Sequence, residues 1–313
     1  MVGMKVGLML PVGSSESRGV SDLLRLALLG EDVGLDSLWV ADHFFHRSDG
    51  QTSGIHEAWT LLTAVAALTA RVEVGTLVLA VPFRNPALTA KMAIELDEVS
   101  GGRLILGLGC GWHEPEFDAF GYPFDHLVTR FEEALRIIIP LLRGEEVTFA
   151  GRFHQASAAV LAPGPSLDGG PPVLVAAAGP RMLELAARYA HQYNSAWHGE
   201  PDHAATLHRR LESPRRAAGV AGRDPSTLTL TVGVVVRFED LLDGDAGGDD
   251  AERAGAADVI RGSTTRITEA LAGYADLGVE HLIVQLEPPS REAVSRLGGI
   301  AAGARTRKLE HPQ

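Results

Sequence analysis

The chain has 313 residues, 45% of them hydrophobic, and its 28 lysines and arginines against 40 acidic residues give a formal net charge of −12. Such an acidic surface repels phosphate backbones and anionic lipid headgroups, so the charge argues against nucleic-acid and membrane partners. The lone cysteine, Cys110, excludes an intramolecular disulfide framework and is typical of a reducing cytoplasm.

The N-terminal part of the chain alternates predicted strands and helices. Lys5 to Leu10 is a short apolar strand, and Val20 to Val33 is a helix followed by a glycine. Asp36 to Ala41 is the second strand and Glu57 to Ala70 the second helix. The first apolar run is too short for a signal peptide, and no window approaches the roughly 18 apolar residues that span a membrane. The sequence therefore predicts a soluble, cytoplasmic protein.

A strand, a helix and a second strand follow between residues 72 and 112. Val72 to Leu79 is rich in β-branched residues and nearly uncharged, which is typical of a strand buried on both faces of a parallel sheet. Asn85-Pro86 is a helix start, and Ala87 to Val99 has apolar residues at helical spacing. Arg103 to Leu108 is the next strand, and it leads into a glycine-rich run. This pattern predicts a right-handed βαβ unit.

The second half of the chain continues the alternation after one interruption. Phe131 to Leu142 is a predicted helix, and residues 147–149 and 152–154 are the arms of a small hairpin inside an insertion between the fourth and fifth strand units. The remaining predicted elements are strand Val173 to Ala177, helix Pro180 to Ala190, strand Gln192 to Trp197, strand Thr227 to Val236, helix Thr265 to Leu277 and strand His281 to Leu286.

Eight apolar strands that alternate with helices predict an α/β protein, a closed parallel (β/α)8 barrel of the TIM type. We find no internal repeat and no domain boundary, so residues 1–313 are predicted to form one domain. Residues 239–258 hold eight acidic side chains, one arginine and several glycines. Because such a segment buries little apolar surface, we predict a mobile loop there.

Several motifs of the central βαβ unit occur in the order found in a known family. They are Leu79-Ala80-Val81-Pro82-Phe83, Arg84-Asn85-Pro86, Ser100-Gly101-Gly102-Arg103 and Gly107-Leu108-Gly109-Cys110-Gly111-Trp112. On these motifs the chain resembles the bacterial luciferase-like oxidoreductases, and within them it is most similar to the branch that depends on coenzyme F420.

The resemblance implies a (β/α)8 barrel that binds F420 and transfers a hydride between this deazaflavin and a small organic substrate. The alternative that it implies is FMN, used with dioxygen by a monooxygenase that receives reduced flavin from a separate reductase. A homodimer is also compatible with the resemblance. A non-catalytic flavin-binding protein is a further alternative.

Chemistry in such barrels lies at the carboxyl ends of the strands, where the loops converge. Asp42 and His43 follow the second strand. His43 is a packing histidine on one interpretation; on the other, its imidazole donates a proton or hydrogen-bonds a ring carbonyl. The resemblance favours the second interpretation, because this Asp-His pair contacts the cofactor ring in relatives. His43 is therefore the predicted catalytic residue, and both residues are predicted to bind the cofactor.

A metal site is an alternative for the same stretch. Asp42, His43, His46 and Asp49 are all metal-ligand types, as a metal-dependent hydrolase barrel requires. Their spacing matches no standard zinc pattern, and later strands supply only scattered histidines such as His113.

The second predicted site is the strand end Leu79, Ala80 and Val81. Apolar residues at a strand end are ordinarily core. The resemblance instead implies a non-prolyl cis peptide here, placed between Ala80 and Val81, whose bulge supports the cofactor ring from behind.

The third predicted site is the turn that contains Gly109, Gly111 and Trp112. A dinucleotide-binding fingerprint needs glycine or alanine at the position of Trp112, so that interpretation fails. Glycines at such a turn let the backbone approach a ligand. The chain departs from relatives twice: some F420 enzymes have a proton-donating glutamate at the position of Trp112, and luciferase has a phosphate-binding arginine at the position of Cys110.

The fourth predicted site is a strand-to-helix turn made of Ala177, Ala178, Gly179, Pro180, Arg181 and Met182. The glycine alone indicates a tight turn. A helix N-terminus also presents unpaired N–H groups and the positive end of its dipole, and Arg181 adds a charge. In relatives the cofactor phosphate binds here. Trp197, after the sixth strand, is either a packing residue at the barrel mouth or part of the substrate pocket.

Overall fold

The computed structural model describes residues 3–13, 19–48, 50–201, 204–241 and 259–306. Eight strands form the barrel: β1 Lys5–Met9, β2 Ser37–Val40, β5 Glu73–Thr76, β7 Leu104–Gly109, β10 Val173–Ala176, β11 Gln192–His198, β12 Thr229–Phe238 and β14 His281–Glu287. Every neighbouring pair of them is parallel, and pairing of β10 with β7 and of β14 with β1 closes the ring. The predicted (β/α)8 barrel is confirmed.

Helices surround this barrel: α1 Val20–Asp32, α2 Ala58–Leu68, α3 Pro86–Ser100, α4 Glu114–Phe120, α5 Leu127–Leu142, α6 Pro180–Tyr189, α7 Ala204–Val220, α8 Thr264–Asp276 and α9 Arg291–Thr306. The described residues also contain six short strands: β3 Phe45–Ser48, β4 Gln51–Gly54, β6 Leu79–Ala80, β8 Val147–Ala150, β9 Gln155–Ala159 and β13 Val259–Gly262. In the described part of the chain, no helix has both the length and the apolar character to cross a membrane.

Local sequence explains where helix α3 begins and ends. The Asn85 side chain accepts the N–H groups of Ala87 and Leu88 at 2.9 and 3.3 Å, and Pro86 occupies the first helical turn. Gly101 ends α3 in the left-handed conformation, with φ of 69°. This helix therefore begins at the predicted Asn85-Pro86 pair and stops at Gly101.

One large aromatic side chain occupies the barrel interior near the amino-terminal ends of the strands. Trp39 is fully buried, and a Cβ atom on Gly75 would lie 2.5 Å from its ring. The Trp39 indole N–H donates to Ser37 Oγ at 2.7 Å, and Ser37 Oγ is 2.7 Å from His281 Nε2. Complete burial lowers the pKa of His281 to about 3, so this histidine is neutral. Ser37 and His281 are the first residues of β2 and β14, so these two residues and Trp39 form the barrel floor, at the amino-terminal end of the strands.

Above this floor, Trp39 packs against an apolar layer. The buried members of this layer are Met9, Leu77, Ile105, Leu174 and Ile283, and the half-buried Ala41, Val78 and Trp197 pack against the same cluster. Because both layers are closely packed, the space for a ligand lies at the mouth, where the carboxyl ends of the strands meet.

Several elements differ from the sequence expectation. The antiparallel pair β3–β4, and the helices α4, α7 and α9, were not predicted. α4 has only seven residues, too few to show a clear helical period, and α7 contains Pro214 in its interior, which interrupts its helical pattern. The β8–β9 hairpin lies at the predicted position, although its second arm begins at Gln155. Of the predicted mobile acidic loop, Glu239–Leu241 forms a short 3-10 turn, and residues 242–258 lie outside the described residues.

Candidate active site at the barrel mouth

Asp42 links β2 to the segment that follows β5. Its side chain is buried and accepts a hydrogen bond from Ala80 N at 2.9 Å. Both carboxylate oxygens also accept from the Arg84 guanidinium, at 2.6 and 3.0 Å, and Arg84 reaches Glu57 at 3.0 Å. Burial would lower the pKa of Arg84, but the bonds to Asp42 and Glu57 outweigh it and raise that pKa. Asp42 is therefore held in a charged internal network.

His43 is held by the carboxylate of Glu116, which no sequence motif indicates. Its Nδ1 is 2.8 Å from Glu116 Oε2, and Glu116 is only 1% exposed. The other oxygen, Glu116 Oε1, accepts from Phe44 N at 2.5 Å and Phe45 N at 3.2 Å. Burial would raise the pKa of Glu116, but the bonds from His43 and the two N–H groups hold it below the usual value. Glu116 is thus a carboxylate bonded through both oxygens.

Aromatic rings enclose the His43 imidazole. Trp112 is 63% exposed, and its ring meets His43 edge-on at 5.6 Å between centroids. His113 is buried, lies 6.3 Å from His43 and stacks on His46 at 5.0 Å. His113 Nε2 also accepts the Arg47 N–H at 3.2 Å. The two additional histidines therefore pack against each other and against the chain.

The metal interpretation gains no support from this arrangement. Within the described ranges, no three histidine, cysteine, aspartate or glutamate side chains are grouped to hold a metal ion. Asp42 is bonded to Arg84, and His43 to Glu116. Asp49, the fourth residue of that interpretation, lies outside the described residues.

The cis peptide predicted between Ala80 and Val81 is wrong. The non-prolyl cis bond after β5 joins Leu77 to Val78. Leu79 and Ala80 instead form β6, which pairs with β7, and Asp42 holds the Ala80 N–H. Leu79, Ala80 and Val81 are all at most 6% exposed and belong to the packed core. The residue of this segment that packs against the apolar layer inside the barrel is Val78.

The glycine-rich turn is filled by protein atoms. A Cβ on Gly107 would lie 1.8 Å from Thr76 O, one on Gly109 would lie 2.5 Å from Val78, and one on Gly111 would lie 2.5 Å from Phe117. Gly111 also has φ of 80°. These glycines let β7 and the following loop pack against β5 and α4. Cys110 between them is half-buried, and burial raises the pKa of its thiol.

The turn into α6 is more open. Gly179 is the N-cap of this helix, has no side-chain capping bond and would meet nothing within 4 Å if it carried a Cβ. Ala178, Gly179 and Pro180 are exposed, whereas Ala177 and Met182 are buried. The first-turn N–H groups of a helix have no intrahelical partner. This turn therefore offers backbone donors to an anion.

Arg181 is turned toward α5. Its Nη1 donates to Thr129 Oγ1 at 2.9 Å, and its Nη2 forms an ion pair with Glu132 at 2.7 Å. The charge of Arg181 is therefore already paired within the protein.

The side of the mouth opposite Asp42 and His43 is formed by β11, β12 and β14. Trp197 is half-buried, and a Cβ on Gly233 would lie 2.8 Å from its ring. Arg237 and Glu287 form an ion pair across the ends of β12 and β14, with side chains 16% and 12% exposed. No sequence motif indicates this pair, because its two residues lie on strands that only the fold brings together.

Comparisons with known proteins place this geometry in context. The sequence profile of the luciferase-like monooxygenase family matches residues 4–241. F420-dependent glucose-6-phosphate dehydrogenase of Amycolatopsis mediterranei (strain U-32) is 36% identical over 58% of this chain and 55% of that protein. The 5,10-methylenetetrahydromethanopterin reductase of Methanolobus tindarius is 31% identical over 67% of this chain and 60% of its own. The chain thus spans somewhat more than half the length of these two relatives.

Among solved structures, an F420-dependent secondary alcohol dehydrogenase in complex with an F420-acetone adduct superposes with a TM-score of 0.80. The alignment covers 97% of this chain and 100% of that protein at 18% sequence identity, which supports the fold alone. The family profile covers most of the chain, including His43, Trp112, Glu116 and the turn into α6. The chain belongs to the luciferase-like monooxygenase family.

Proposed function

We propose that this chain is an oxidoreductase that binds coenzyme F420 at the barrel mouth and transfers a hydride between it and a small organic substrate. The observation that carries the proposal is the His43–Glu116 pair, which places an oriented imidazole beside an exposed indole at the mouth. The two relatives described above are an F420-dependent dehydrogenase and a reductase.

The mouth fits a flavin-type cofactor. Val78 and Trp197 present a half-buried apolar surface on which a flat ring can lie. The negative charge of Asp42 is balanced by its ion pair with Arg84. The open turn at Gly179 supplies backbone N–H groups for a phosphate. Residues that would hold the cofactor are therefore His43, Val78, Trp112 and the run Ala177 to Met182, with the buried Leu79, Ala80 and Val81 and the turn of Gly109 and Gly111 supporting them. When bound, the deazaflavin supplies a site that accepts or gives up a hydride.

His43 handles the proton in this proposal. Its Nδ1 is engaged by Glu116, so Nε2 is the ring nitrogen left for a ligand. Nε2 takes a proton from a substrate hydroxyl as the substrate is oxidised, and it returns one to a carbonyl in the reverse direction. Trp112 covers one edge of the imidazole and supplies an apolar contact for the substrate.

The second candidate is an FMN-dependent monooxygenase, favoured by the description of the matching family profile. That activity requires reduced FMN from a separate reductase together with dioxygen. The chain has Cys110 where the luciferase resemblance places a phosphate-binding arginine, and the half-buried thiol carries no compensating positive charge.

One set of measurements separates the two candidates. Mass spectrometry of the cofactor that co-purifies with the protein identifies the occupant, and stopped-flow spectra follow oxidation or reduction of added F420 and of FMN with an NAD(P)H reductase. Turnover with F420 under anaerobic conditions supports the proposal. Turnover with FMN and dioxygen alone would replace it by the second candidate.

A further inference from the structure

Glu116 is arranged to control the protonation pattern of the His43 ring. Its Oε2 faces Nδ1 at 2.8 Å, and its Oε1 is held by the N–H groups of Phe44 and Phe45. A carboxylate fixed through both oxygens cannot turn away from the imidazole. Because Phe44 and Phe45 directly follow His43, the same carboxylate fixes the backbone that carries the ring.

The support behind Glu116 is rigid. The next residue, Phe117, is fully buried among the rings of Phe83 and Phe124, at 5.0 and 4.9 Å between centroids. On the other side of the imidazole stand Trp112 and His113. The ring of His43 therefore contacts α4 and the loop after β7, while 21% of its side chain stays exposed.

The chemistry of the pair determines where the proton lies. An ionised carboxylate only accepts hydrogen bonds, so a bond between Glu116 Oε2 and Nδ1 requires the hydrogen to sit on Nδ1. The depressed pKa of Glu116 agrees with its ionised form. Neutral His43 then has no hydrogen on Nε2, which faces away from Glu116.

We propose that Glu116 is a positioning residue that holds neutral His43 as the Nδ1–H tautomer, so that Nε2 meets a ligand as a hydrogen-bond acceptor. This inference rests on the proposed function, because it assigns Nε2 the role of accepting the substrate proton. It also excludes neutral His43 as a donor to a ring carbonyl, which was one of the two roles that the sequence suggested.

The variant Glu116→Gln separates positioning from folding. Its amide oxygen can still accept the N–H groups of Phe44 and Phe45, while its NH₂ group faces Nδ1 and can only donate. The variant therefore preserves the backbone bonds and drives the His43 hydrogen to Nε2. Glu114→Gln, on the exposed part of the same helix, is the matched control.

Nitrogen NMR of ¹⁵N-imidazole-labelled protein without cofactor tests the tautomer directly. The signals of His43 are identified by their absence from His43→Asn. We expect Nδ1–H in the parent and in Glu114→Gln, and Nε2–H in Glu116→Gln. A parent spectrum with the hydrogen on Nε2, or one tautomer in both the parent and Glu116→Gln, would overturn the proposal, and the parent spectrum decides the first point even if the variant does not fold.

Kinetics provide the second readout. The switched tautomer leaves no hydrogen-bond acceptor at Nε2 of His43, so Glu116→Gln should lower kcat by about 10²-fold or more. We expect KM to change by less than about threefold. Glu114→Gln should react at the parent rate. An unchanged kcat in a variant with the switched tautomer would overturn the positioning role. The imidazole spectra need no cofactor, so a parent that turns over neither F420 nor FMN would contradict the proposed function alone.

Discussion

Two sides of the barrel mouth are built in opposite ways. On the β2 side, Asp42 and Glu116 have both carboxylate oxygens bonded within the protein, and the His43 ring is held by Glu116 and contacts Trp112. On the β10 side, Gly179 leaves the first turn of α6 uncapped and exposed. A proton-transfer group must be oriented before the ligand arrives, whereas a phosphate can be captured by any open set of N–H donors. The difference indicates a reacting side and an anchoring side.

The largest effect should follow from removing the reacting imidazole. His43→Ala should lower turnover by about 10²- to 10⁴-fold, the usual contribution of general acid–base catalysis. Stopped-flow reduction of bound F420 measures it. His208→Ala, on the exposed surface of α7, is the control and should react at the parent rate. If His43→Ala reduced bound F420 at the parent rate, the β2 side would not be the reacting side.

Breaking the network behind the reacting side should affect stability. Asp42→Asn removes the charge that Arg84 pairs with, and loss of one partner of a buried ion pair costs about 3 to 5 kcal/mol. Because Glu57 also contacts Arg84, we expect a loss of about 3 kcal/mol, the lower end of that range. Denaturant unfolding measures this free energy. Stability equal to that of the parent would mean that the network does not hold the reacting side in place.

A carboxylate at the N-cap of α6 should weaken cofactor binding on the anchoring side. Gly179→Asp has room for its side chain, caps α6 and places a negative charge where the phosphate is proposed to bind. We expect unchanged or slightly higher stability and cofactor binding weakened by about tenfold, or about 1.4 kcal/mol.

Gly19→Asp, at the equally uncapped N-terminus of α1, is the matched control for the titration. If Gly19→Asp weakened the binding of F420 and Gly179→Asp did not, the anchor would lie on the other side of the mouth.

The smallest effect should come from Arg181→Ala. Arg181 is about half exposed and already bonded to Thr129 and Glu132, so its loss should weaken cofactor binding by less than about 1 kcal/mol. The same titration measures it. A loss of several kcal/mol would show that Arg181 leaves Glu132 to bind the cofactor.

Sequence patterns predicted the parts of this fold that depend on neighbours in the chain. The eight barrel strands follow from apolar runs, and the ends of α3 follow from Asn85-Pro86 and Gly101. The helix α4 could have been found from the acidic residues and proline of its first turn.

The contacts of the site could not be predicted in the same way. His43 and Glu116 are separated by 73 positions, and no local pattern joins them. The glycines from Gly107 to Gly111 were interpreted as room for a ligand, because the sequence does not reveal that Thr76, Val78 and Phe117 occupy that space. The cis bond was placed three residues too late, because pairing of β6 with β7 depends on the folded sheet.

The indole that fills the barrel floor has a consequence for how this sequence can vary over evolutionary time. Gly7 and Gly75 each face Trp39 so closely that a methyl group on either would overlap it, at 2.8 and 2.5 Å. Neither glycine can change while the indole stays, and replacing the indole alone leaves a void between them. We therefore expect homologous chains that lack the tryptophan to carry a residue larger than glycine in place of Gly75. Gly7 should remain glycine in them, because a Cβ there would also lie 2.1 Å from Ser37 Oγ.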